Sequence, residues 1–376
     1  MFSNSIRNFP ARRFAKFARS LSDIGFCFDI DGVLLKGKKA IPGAANTLRY
    51  LQSEKVPFVL FTNGGGVSEE SRSHFISKTL GVDISPRQII LSHTPFRALA
   101  QDERLNRVLV VGGPGDSARH VAQEYGFREV LMPIDVLAAN ESIWPFHRYS
   151  KAEIANLAIP VDSSHIYGPS AKPFDCILIF NDPRDMGADI QIVADLLNSH
   201  GGYMGTKRHD KGEVPSVPIL FSNNDFFWAN DYPQPRFGQG AFKIAVDAIY
   251  NKINGTEKMQ SMVFGKPEKV SYDYAHHVLI DWRNWLGGKR EPASAPVLGR
   301  TPERSPFREI YMIGDNPASD IEGGNRAHWN TVLVRTGVFQ DHDLVHDTEN
   351  LIARPSHGVF DNVEAAVRGV LEDVNN

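Results

Sequence analysis

Residues 25–34 read Gly-Phe-Cys-Phe-Asp-Ile-Asp-Gly-Val-Leu, and this stretch decides the predicted fold. Its apolar run, residues 26–28, has the length and the residue types of a buried strand. Asp29 and Asp31 follow at the strand end, where residues two apart face the same side, and Gly32 lets the chain turn away. Two carboxylates this close repel one another unless a cation or a proton lies between them. The pattern therefore predicts a cation-binding strand end, with a helix N-cap or an Asx turn as the alternative.

The rest of the chain alternates between short apolar runs and helical patterns, which is typical of a parallel sheet covered by helices. Further buried strands are predicted at residues 56–61, 107–111, 176–180, 219–222, 262–264, 309–313 and 331–334. Predicted helices begin near residues 42 and 68 and cover residues 116–125, 189–197, 240–250 and 363–374. Residues 287–308 are rich in Gly, Pro, Arg and Ser, and we expect an exposed, mobile insertion there.

Composition narrows the class of protein. The chain has 376 residues, 42% of them hydrophobic, which is enough for a large core or two domains. A formal net charge of -3 gives no reason to expect nucleic acid as a partner. Cys27 and Cys176 both lie in apolar runs, so we expect no disulfide framework and a thiol-reducing compartment. No apolar stretch approaches the length of a membrane span, and we expect a soluble protein.

The first 22 residues differ in character from the rest. They contain five basic residues, several serines and no acid. Such a basic, acid-poor leader is typical of a mitochondrial transit peptide, with a disordered basic tail as the alternative. We therefore exclude residues 1–22 from the fold and expect the protein in mitochondria, in the matrix.

Polar side chains follow four of the predicted strands. They are Asp29 and Asp31, Thr62 and Asn63, Lys266, and Asp315 with Asp320. Taken singly, each is explained as a turn or surface residue. The carboxyl ends of parallel strands, however, meet at one edge of a sheet, where ligands bind. Carboxylates there can hold Mg²⁺, while a lysine and the backbone N–H groups of the glycine-rich loop at 62–66 can receive a phosphate.

These motifs, in this order, resemble motifs I to IV of the haloacid dehalogenase (HAD) superfamily. The four are Phe-Asp-Ile-Asp-Gly-Val-Leu at 28–34, Phe-Thr-Asn-Gly at 61–64, Gly-Lys-Pro at 265–267 and Gly-Asp-Asn-Pro-Ala-Ser-Asp at 314–320. The long segment between motifs II and III, with Asn-Asn-Asp at 223–225, is similar to the class IIA branch, which carries a C2 cap. The glycine-rich motif II, Leu-Ser-His-Thr-Pro-Phe at 91–96 and the basic leader look most like the mitochondrial, cat-eye-syndrome-region hydrolase subgroup.

The resemblance implies an α/β protein: a Rossmann-like HAD core with a parallel sheet and an inserted α/β C2-type cap. The core would comprise residues 23–91 and 240–376, and the cap residues 92–239. Residues 287–308 fall outside the family pattern. The cap would select the substrate, and the protein would be a Mg²⁺-dependent phosphatase acting on a small phosphorylated metabolite. Cap-mediated homodimers occur among similar proteins, so we expect a homodimer.

The resemblance also implies a role for each motif residue. Asp29 would be the nucleophile that forms an aspartyl-phosphate, and Asp31 would protonate the leaving oxygen and then activate water. The remaining roles are phosphate binding by Thr62, Asn63 and Gly64, charge neutralisation by Lys266, and Mg²⁺ binding by Asp29, the main-chain carbonyl of Asp31 and Asp315, supported by Asp320. Dehalogenating members lack an acid at the position of Asp31, which favours phosphate-ester hydrolysis over C–halogen cleavage.

Several residues near the motifs have two explanations. Asn224 and Asp225 would lie over the ester group or form an Asx turn, and His93 is either a site residue or a packed cap residue. We expect Phe226, Phe227 and Trp228 in the core of the cap, with pocket lining as the alternative.

Two other function classes stay open at this point. The run Gly-Pro-Gly-Asp-Ser-Ala at 113–118, with Asp135 further on, fits a dinucleotide fingerprint and would indicate an NAD-dependent oxidoreductase. The other alternative is a non-catalytic HAD-like protein that binds a phosphometabolite or a partner.

Overall fold

The computed structural model describes residues 23–228, 232, 234, 236–289, 296–339, 341 and 353–374. The leader predicted at residues 1–22 and part of the predicted insertion, residues 290–295, lie outside the described residues. The described chain forms two parallel sheets, each covered by helices. The prediction of an α/β fold with parallel sheets is therefore confirmed.

The first sheet has six parallel strands, with the strand of the opening motif near its middle. Across the sheet the order is Val359–Phe360, Asn330–Val334, Glu309–Gly314, Ile24–Phe28, Phe58–Phe61 and Ile89–Ile90. The register pairs Phe28 with Ile313 on one side and with Leu60 on the other. The residues that follow these three strands consequently lie side by side at one edge.

Both faces of this sheet are buried, which explains why its central strand is apolar throughout. Phe26 and Phe28 pack on one face with Leu48 from a covering helix, while Cys27 points to the other face with Leu279. The helices that cover the sheet are Ala44–Ser53, Glu69–Leu80, Lys269–Leu286, Glu322–Arg326 and Val363–Val374.

The second sheet has five parallel strands, in the order Met262–Val263, Ile219–Phe221, Cys176–Ile179, Arg107–Val111 and Glu129–Leu131. Its helices, together with the short helix that precedes it, are Phe96–Leu99, Ser117–Tyr125, Pro133–Ala139, Lys151–Leu157, Met186–Leu197 and Gln239–Asn254. The last of these helices buries Phe242 and Tyr250 in the core of this layer. The layer therefore continues to Val263, and the boundary predicted at residue 239 is too early. The reason is that the alternation of helix and strand runs on past 239 without a break.

The predicted insertion at 287–308 is not exposed along its whole described length. Thr301 Oγ1 donates to Asp273 at 2.8 Å, and Phe307 is buried against the helix Lys269–Leu286. The described residues also form two antiparallel hairpins, Leu35–Lys36 with Lys39–Ala40 and Phe227–Trp228 with Arg236–Phe237. Among the described residues, no helix is both long and apolar enough to cross a membrane.

Candidate active site

Three carboxylates converge at the carboxyl edge of the first sheet. Asp29 follows the central strand and Asp315 follows its neighbour, and the Asp29 N–H donates to the Ile313 carbonyl at 2.9 Å. Asp320 lies one turn further along the chain. One carboxylate oxygen from each of Asp29, Asp315 and Asp320 lies within 4.8 Å of the other two, and all three residues are buried. The strand ends that carry Asp29 and Asp315 meet at this edge as expected, whereas Lys266 follows a strand of the second sheet and not of this one.

Lys266 lies between two of these carboxylates. Its Nζ is 2.8 Å from Asp29 Oδ1 and 2.6 Å from Asp320 Oδ1. Burial raises the pKa of Asp29, raises that of Asp320 to about 6 and raises that of Asp315 to about 8. Burial alone would lower the pKa of Lys266, but Asp29 and Asp320 together raise it, so the lysine stays protonated.

The donor set fits a divalent cation. Three buried carboxylates face a single lysine, which leaves an excess of negative charge in a largely buried place. Carboxylate oxygens are the ligands that Mg²⁺ prefers. The Asp31 carboxylate is not part of this cluster. It is half exposed and pairs with Arg72, with Asp31 Oδ2 at 3.0 Å from Arg72 Nη2.

Backbone groups hold the carboxylates of motif IV in place. Asp320 Oδ2 accepts hydrogen bonds from the N–H groups of Asp315 and Asn316 at 3.1 and 3.0 Å. Asp315 Oδ2 accepts from the Val338 N–H at 2.7 Å. A Cβ on Gly337 would lie 1.8 Å from Asp315 Oδ2, so only glycine fits there. Sequence reasoning missed Arg72, Gly337 and Val338. The last two follow the strand Asn330–Val334, whose end lies at the same edge and could have indicated them.

The glycine-rich loop is joined to Lys266 by one amide side chain. Asn63 Oδ1 accepts from the Lys266 N–H at 2.7 Å, and Asn63 Nδ2 donates to the Lys266 carbonyl at 2.9 Å. Thr62 is buried, and its Oγ1 accepts from the Gly64 N–H at 3.0 Å. The structure therefore brings the predicted phosphate loop next to the predicted lysine.

Asn224 and Asp225 are both predicted to lie over the ester group, and the structure brings only Asp225 to this loop. Asp225 Oδ1 accepts from Asn63 Nδ2 at 3.0 Å, whereas Asn224 is exposed. Burial raises the pKa of Asp225. Asn223, which sequence reasoning did not assign, donates to the Asn63 carbonyl at 3.2 Å and accepts from the Asp225 N–H at 3.1 Å. The latter bond is an Asx turn formed by Asn223, one residue before the pair for which an Asx turn is the alternative explanation.

His93 is a packed residue that helps to join the two layers. It is fully buried, and its Nδ1 lies 2.9 Å from the Tyr125 hydroxyl, which donates to Glu69 at 2.6 Å. Glu69 belongs to the helix that follows the glycine-rich loop, and Tyr125 to the second layer. Burial lowers the pKa of His93 to about 4, so this side chain is neutral near pH 7.

The acid of the dinucleotide fingerprint, Asp135, is not available to a cofactor. Asp135 is buried and pairs with Arg119 at 2.8 Å, so its carboxylate is occupied within the protein rather than open to a ribose. The expectation that Phe226, Phe227 and Trp228 belong to a core is wrong, because they are between 41% and 51% exposed. They lie on and beside a hairpin whose strands have two residues each.

The chain matches known families and proteins over most of its length. Residues 26–128 match the family described as haloacid dehalogenase-like hydrolase, and residues 263–366 match a second HAD-hydrolase-like family. The chain is 47% identical over 330 residues to the mitochondrial hydrolase YKR070W of Saccharomyces cerevisiae, covering 87% of this chain and 91% of that protein.

A second relative is a fusion protein. The chain is 37% identical over 353 residues to a Schizosaccharomyces pombe protein named cardiolipin synthase (CMP-forming) / mitochondrial hydrolase fusion protein. The match covers 93% of this chain and 53% of that protein, so the chain spans about half of the fusion.

Among solved structures, p-nitrophenyl phosphatase from Archaeoglobus fulgidus has the same fold. The TM-score is 0.57 at 14% identity, and the match covers 92% of this chain and 98% of that one. The resemblance predicted from the four motifs is thus confirmed. With 47% identity over 330 residues to a hydrolase relative, the chain belongs to the haloacid dehalogenase-like hydrolases.

Proposed function

We propose that the protein is a Mg²⁺-dependent phosphatase that hydrolyses a small phosphate monoester through an aspartyl-phosphate on Asp29. The observation that carries this proposal is the position of the Asp29 carboxylate, 2.8 Å from Lys266 and within 4.8 Å of the carboxylates of Asp315 and Asp320. A carboxylate needs no deprotonation to act as a nucleophile near pH 7. The name of the structurally similar p-nitrophenyl phosphatase also supports phosphate-ester chemistry.

In the proposed first step, an Asp29 oxygen attacks phosphorus and the bond from phosphorus to the ester oxygen breaks. Asp31 gives a proton to the departing alcohol. In the second step water attacks the aspartyl-phosphate, Asp31 takes its proton, and inorganic phosphate leaves. The developing charge on the phosphoryl oxygens would be held by Lys266 and by the backbone N–H groups of the loop at 62–66.

The metal would be held by Asp29, Asp315 and the main-chain carbonyl of Asp31, with Asp320 in support. When bound, Mg²⁺ supplies positive charge that offsets the repulsion between the phosphate and the carboxylates. Asp320 donates no proton in this scheme. Its two oxygens are already occupied by Lys266 and by backbone N–H groups, so it fixes the position of the lysine.

The remaining parts of the proposal concern the setting. The substrate would be a small phosphorylated metabolite, bound with the help of Asp225 and Asn224, and nucleic acid would not be a partner. The two relatives named as mitochondrial hydrolases support a mitochondrial location, and we propose the matrix. We also keep the homodimer as part of the proposal.

Phosphate release from p-nitrophenyl phosphate and a panel of natural phosphate esters tests this function. We expect activity that requires Mg²⁺, that is lost when EDTA is added and that is abolished in Asp29→Asn. Asp83→Asn is the matched control, because it removes an exposed carboxylate outside the site. If no ester gives more phosphate with the wild type than with Asp29→Asn, the non-catalytic binding protein replaces the phosphatase as the explanation.

A further inference from the structure

Arg72 pairs with the residue that moves protons in the proposed reaction. Arg72 Nη2 lies 3.0 Å from Asp31 Oδ2, and the two side chains are 21% and 55% exposed. Among the residues that the structure describes, no other group forms a hydrogen bond or an ion pair with the Asp31 carboxylate. A half-exposed aspartate without a partner turns among its staggered rotamers. The contact with Arg72 therefore selects the position of this carboxylate.

Arg72 is itself held in place by its helix and by packing. It lies in the first turns of the helix Glu69–Leu80, and its N–H donates to the Ser68 carbonyl at 2.9 Å. Ser68 caps this helix, because its Oγ accepts from the Ser71 N–H at 3.2 Å. The Arg72 Nε is buried, and the guanidinium carbon lies 5.7 Å from the centroid of the Phe75 ring. A packed arginine gives its partner a fixed point of contact.

The oxygen that Arg72 contacts lies beside the loop that is proposed to bind the phosphoryl group. A Cβ on Gly64 would be 3.9 Å from Asp31 Oδ2 and 3.3 Å from Thr62 Oγ1. The Asp31 carboxylate thus faces the same loop as the ester would. Rotation of Asp31 about its Cα–Cβ bond would carry the acid away from this loop, and the pair with Arg72 opposes that rotation.

The pair also decides which oxygen of Asp31 carries a proton. A guanidinium offers only N–H donors and no acceptor, so Asp31 Oδ2 has to accept in this contact. When the carboxyl group is protonated, its proton is consequently on Oδ1. A single oxygen in a single rotamer then serves both transfers, first to the departing alcohol and later from water.

We propose that Arg72 is a positioning residue for proton transfer, which holds the Asp31 carboxyl group beside the phosphate loop with Oδ1 as the reacting oxygen. This inference rests on the proposed function and adds a residue to it. The chemistry is unchanged: the bond from phosphorus to the ester oxygen breaks, the O–H bond of Asp31 breaks with it, and the proton ends on the alcohol. Arg72 acts only through Asp31.

The experiment compares two esters whose leaving groups differ in their need for a proton. Phenolate is a stronger base than p-nitrophenolate, so hydrolysis of phenyl phosphate depends more on a general acid than hydrolysis of p-nitrophenyl phosphate does. The quantity measured is kcat/KM, which reports the attack of Asp29 and the loss of the alcohol but not the later hydrolysis of the aspartyl-phosphate.

Three variants are compared with the wild type. Arg72→Met keeps an apolar stem and removes the guanidinium, and Asp31→Asn removes the acid itself. The control is Arg49→Ala, because Arg49 Nη2 donates to the carbonyls of Leu80 and Gly81, each at 3.3 Å, at the far end of the same helix. This control loses an arginine that supports the helix but does not contact Asp31.

We expect Arg72→Met to lower kcat/KM roughly 50-fold on phenyl phosphate and less than about threefold on p-nitrophenyl phosphate, because only the first ester depends strongly on a well-placed acid. Asp31→Asn should show the same preference with larger losses. Arg49→Ala should stay within about twofold of the wild type on both esters. The melting temperature of Arg72→Met should change by no more than about 3 °C, since a partly exposed ion pair adds little stability.

Two further variants separate positioning from other roles of Arg72. The pair is a single contact, which a lysine can replace, so Arg72→Lys should recover roughly tenfold of the loss on phenyl phosphate. In the Asp31→Asn background, Arg72→Met should change kcat/KM on phenyl phosphate by no more than about twofold, because the residue through which Arg72 acts is already disabled.

Four results would overturn the inference. Equal losses on both esters in Arg72→Met would make Arg72 a phosphate-binding or structural residue. Losses that multiply in the double variant would show that Arg72 acts apart from Asp31, and an Arg72→Lys variant as slow as Arg72→Met would exclude its charged donor as the cause. Equal losses on both esters in Asp31→Asn would keep the nucleophile and remove the acid that Arg72 positions.

The same measurements show whether the proposed function itself fails. A wild type that hydrolyses p-nitrophenyl phosphate but not phenyl phosphate remains a phosphatase, and only the positioning of a general acid by Arg72 is overturned. A wild type that hydrolyses neither ester faster than Asp29→Asn overturns the phosphatase and this inference together.

Discussion

Replacing Asp29 by asparagine should abolish activity while leaving the metal-free protein about as stable as the wild type. The attraction between Asp29 and Lys266, 2.8 Å apart, amounts to about 6 kcal/mol at an effective dielectric constant of about 20. Above about pH 8, where Asp315 and Asp320 are both ionised, the repulsion from each of them, within 4.8 Å, amounts to about 3.5 kcal/mol or more. The lost attraction and the relieved repulsion nearly cancel. Lys266 also keeps Asp320 at 2.6 Å, so no buried cation is left alone.

The assay is urea unfolding in EDTA above about pH 8, where Asp315 is ionised, followed by circular dichroism. We expect Asp29→Asn to change the free energy of unfolding by no more than about 2 kcal/mol, and to lower the rate of phosphate release by roughly 10⁴-fold or more. Asp320→Asn is the matched variant, because it removes the same charge but also disturbs the acceptor of two backbone N–H groups. It should cost about 3–5 kcal/mol. If Asp29→Asn destabilises the protein as much as Asp320→Asn does, the charge balance drawn here is refuted.

Three further changes test other parts of the structure. Lys266→Met leaves three buried carboxylates without their cation, so the melting temperature of this variant should fall in EDTA. Added Mg²⁺ should raise the melting temperature of the variant by more than it raises that of the wild type. Equal increases in melting temperature would contradict this. Gly337→Ala places a Cβ against Asp315 and should raise the Mg²⁺ concentration that gives half-maximal activity roughly tenfold. Gly212→Ala is the control, because a Cβ there meets no other atom, and it should leave this concentration unchanged. Burial lowers the pKa of His93 from 6.5 to about 4, so the folded protein binds fewer protons there than the unfolded chain. Stability should therefore fall as the pH drops from about 6.5 towards 4, by up to about 1.4 kcal/mol per unit, and unfolding curves of His93→Gln should show a shallower fall.

One rule of parallel sheets is enough to predict part of the convergence. Asp29 and Asp315 each follow an apolar strand of the first sheet, and the ends of parallel strands share an edge, so their meeting needs no knowledge of strand order. Lys266 follows a strand of the second sheet, so the rule does not explain how it reaches the same place. Which backbone and side-chain groups surround them is a different matter. Arg72 reaches Asp31 from a helix, and Val338 reaches Asp315 from a loop, and neither contact follows from spacing along the chain. The catalytic roles of these residues stay predictions.

The apolar pattern misleads where hydrophobicity does not coincide with burial. Phe226, Phe227 and Trp228 form an apolar run like those of the strands, yet they are exposed. A run becomes core only if other elements cover it, and a hairpin with two-residue strands supplies no such cover. The end of the second layer was misplaced for a related reason. The strand Met262–Val263 pairs with Ile219–Phe221, a partner over forty residues earlier, and pairing across that separation is invisible to local periodicity.

Lys266 stands three residues after a strand of the second sheet, yet its peptide is gripped on both sides by one amide from the first sheet. The position of the Lys266 ammonium is therefore set by Asn63 of the first sheet, although the strand before Lys266 belongs to the second sheet. Two residues of the inserted layer bind Asn63 in turn, because Asp225 accepts from its Nδ2 and Asn223 donates to its carbonyl. A change in the insertion that moves either residue would consequently also move the ammonium that Asn63 holds.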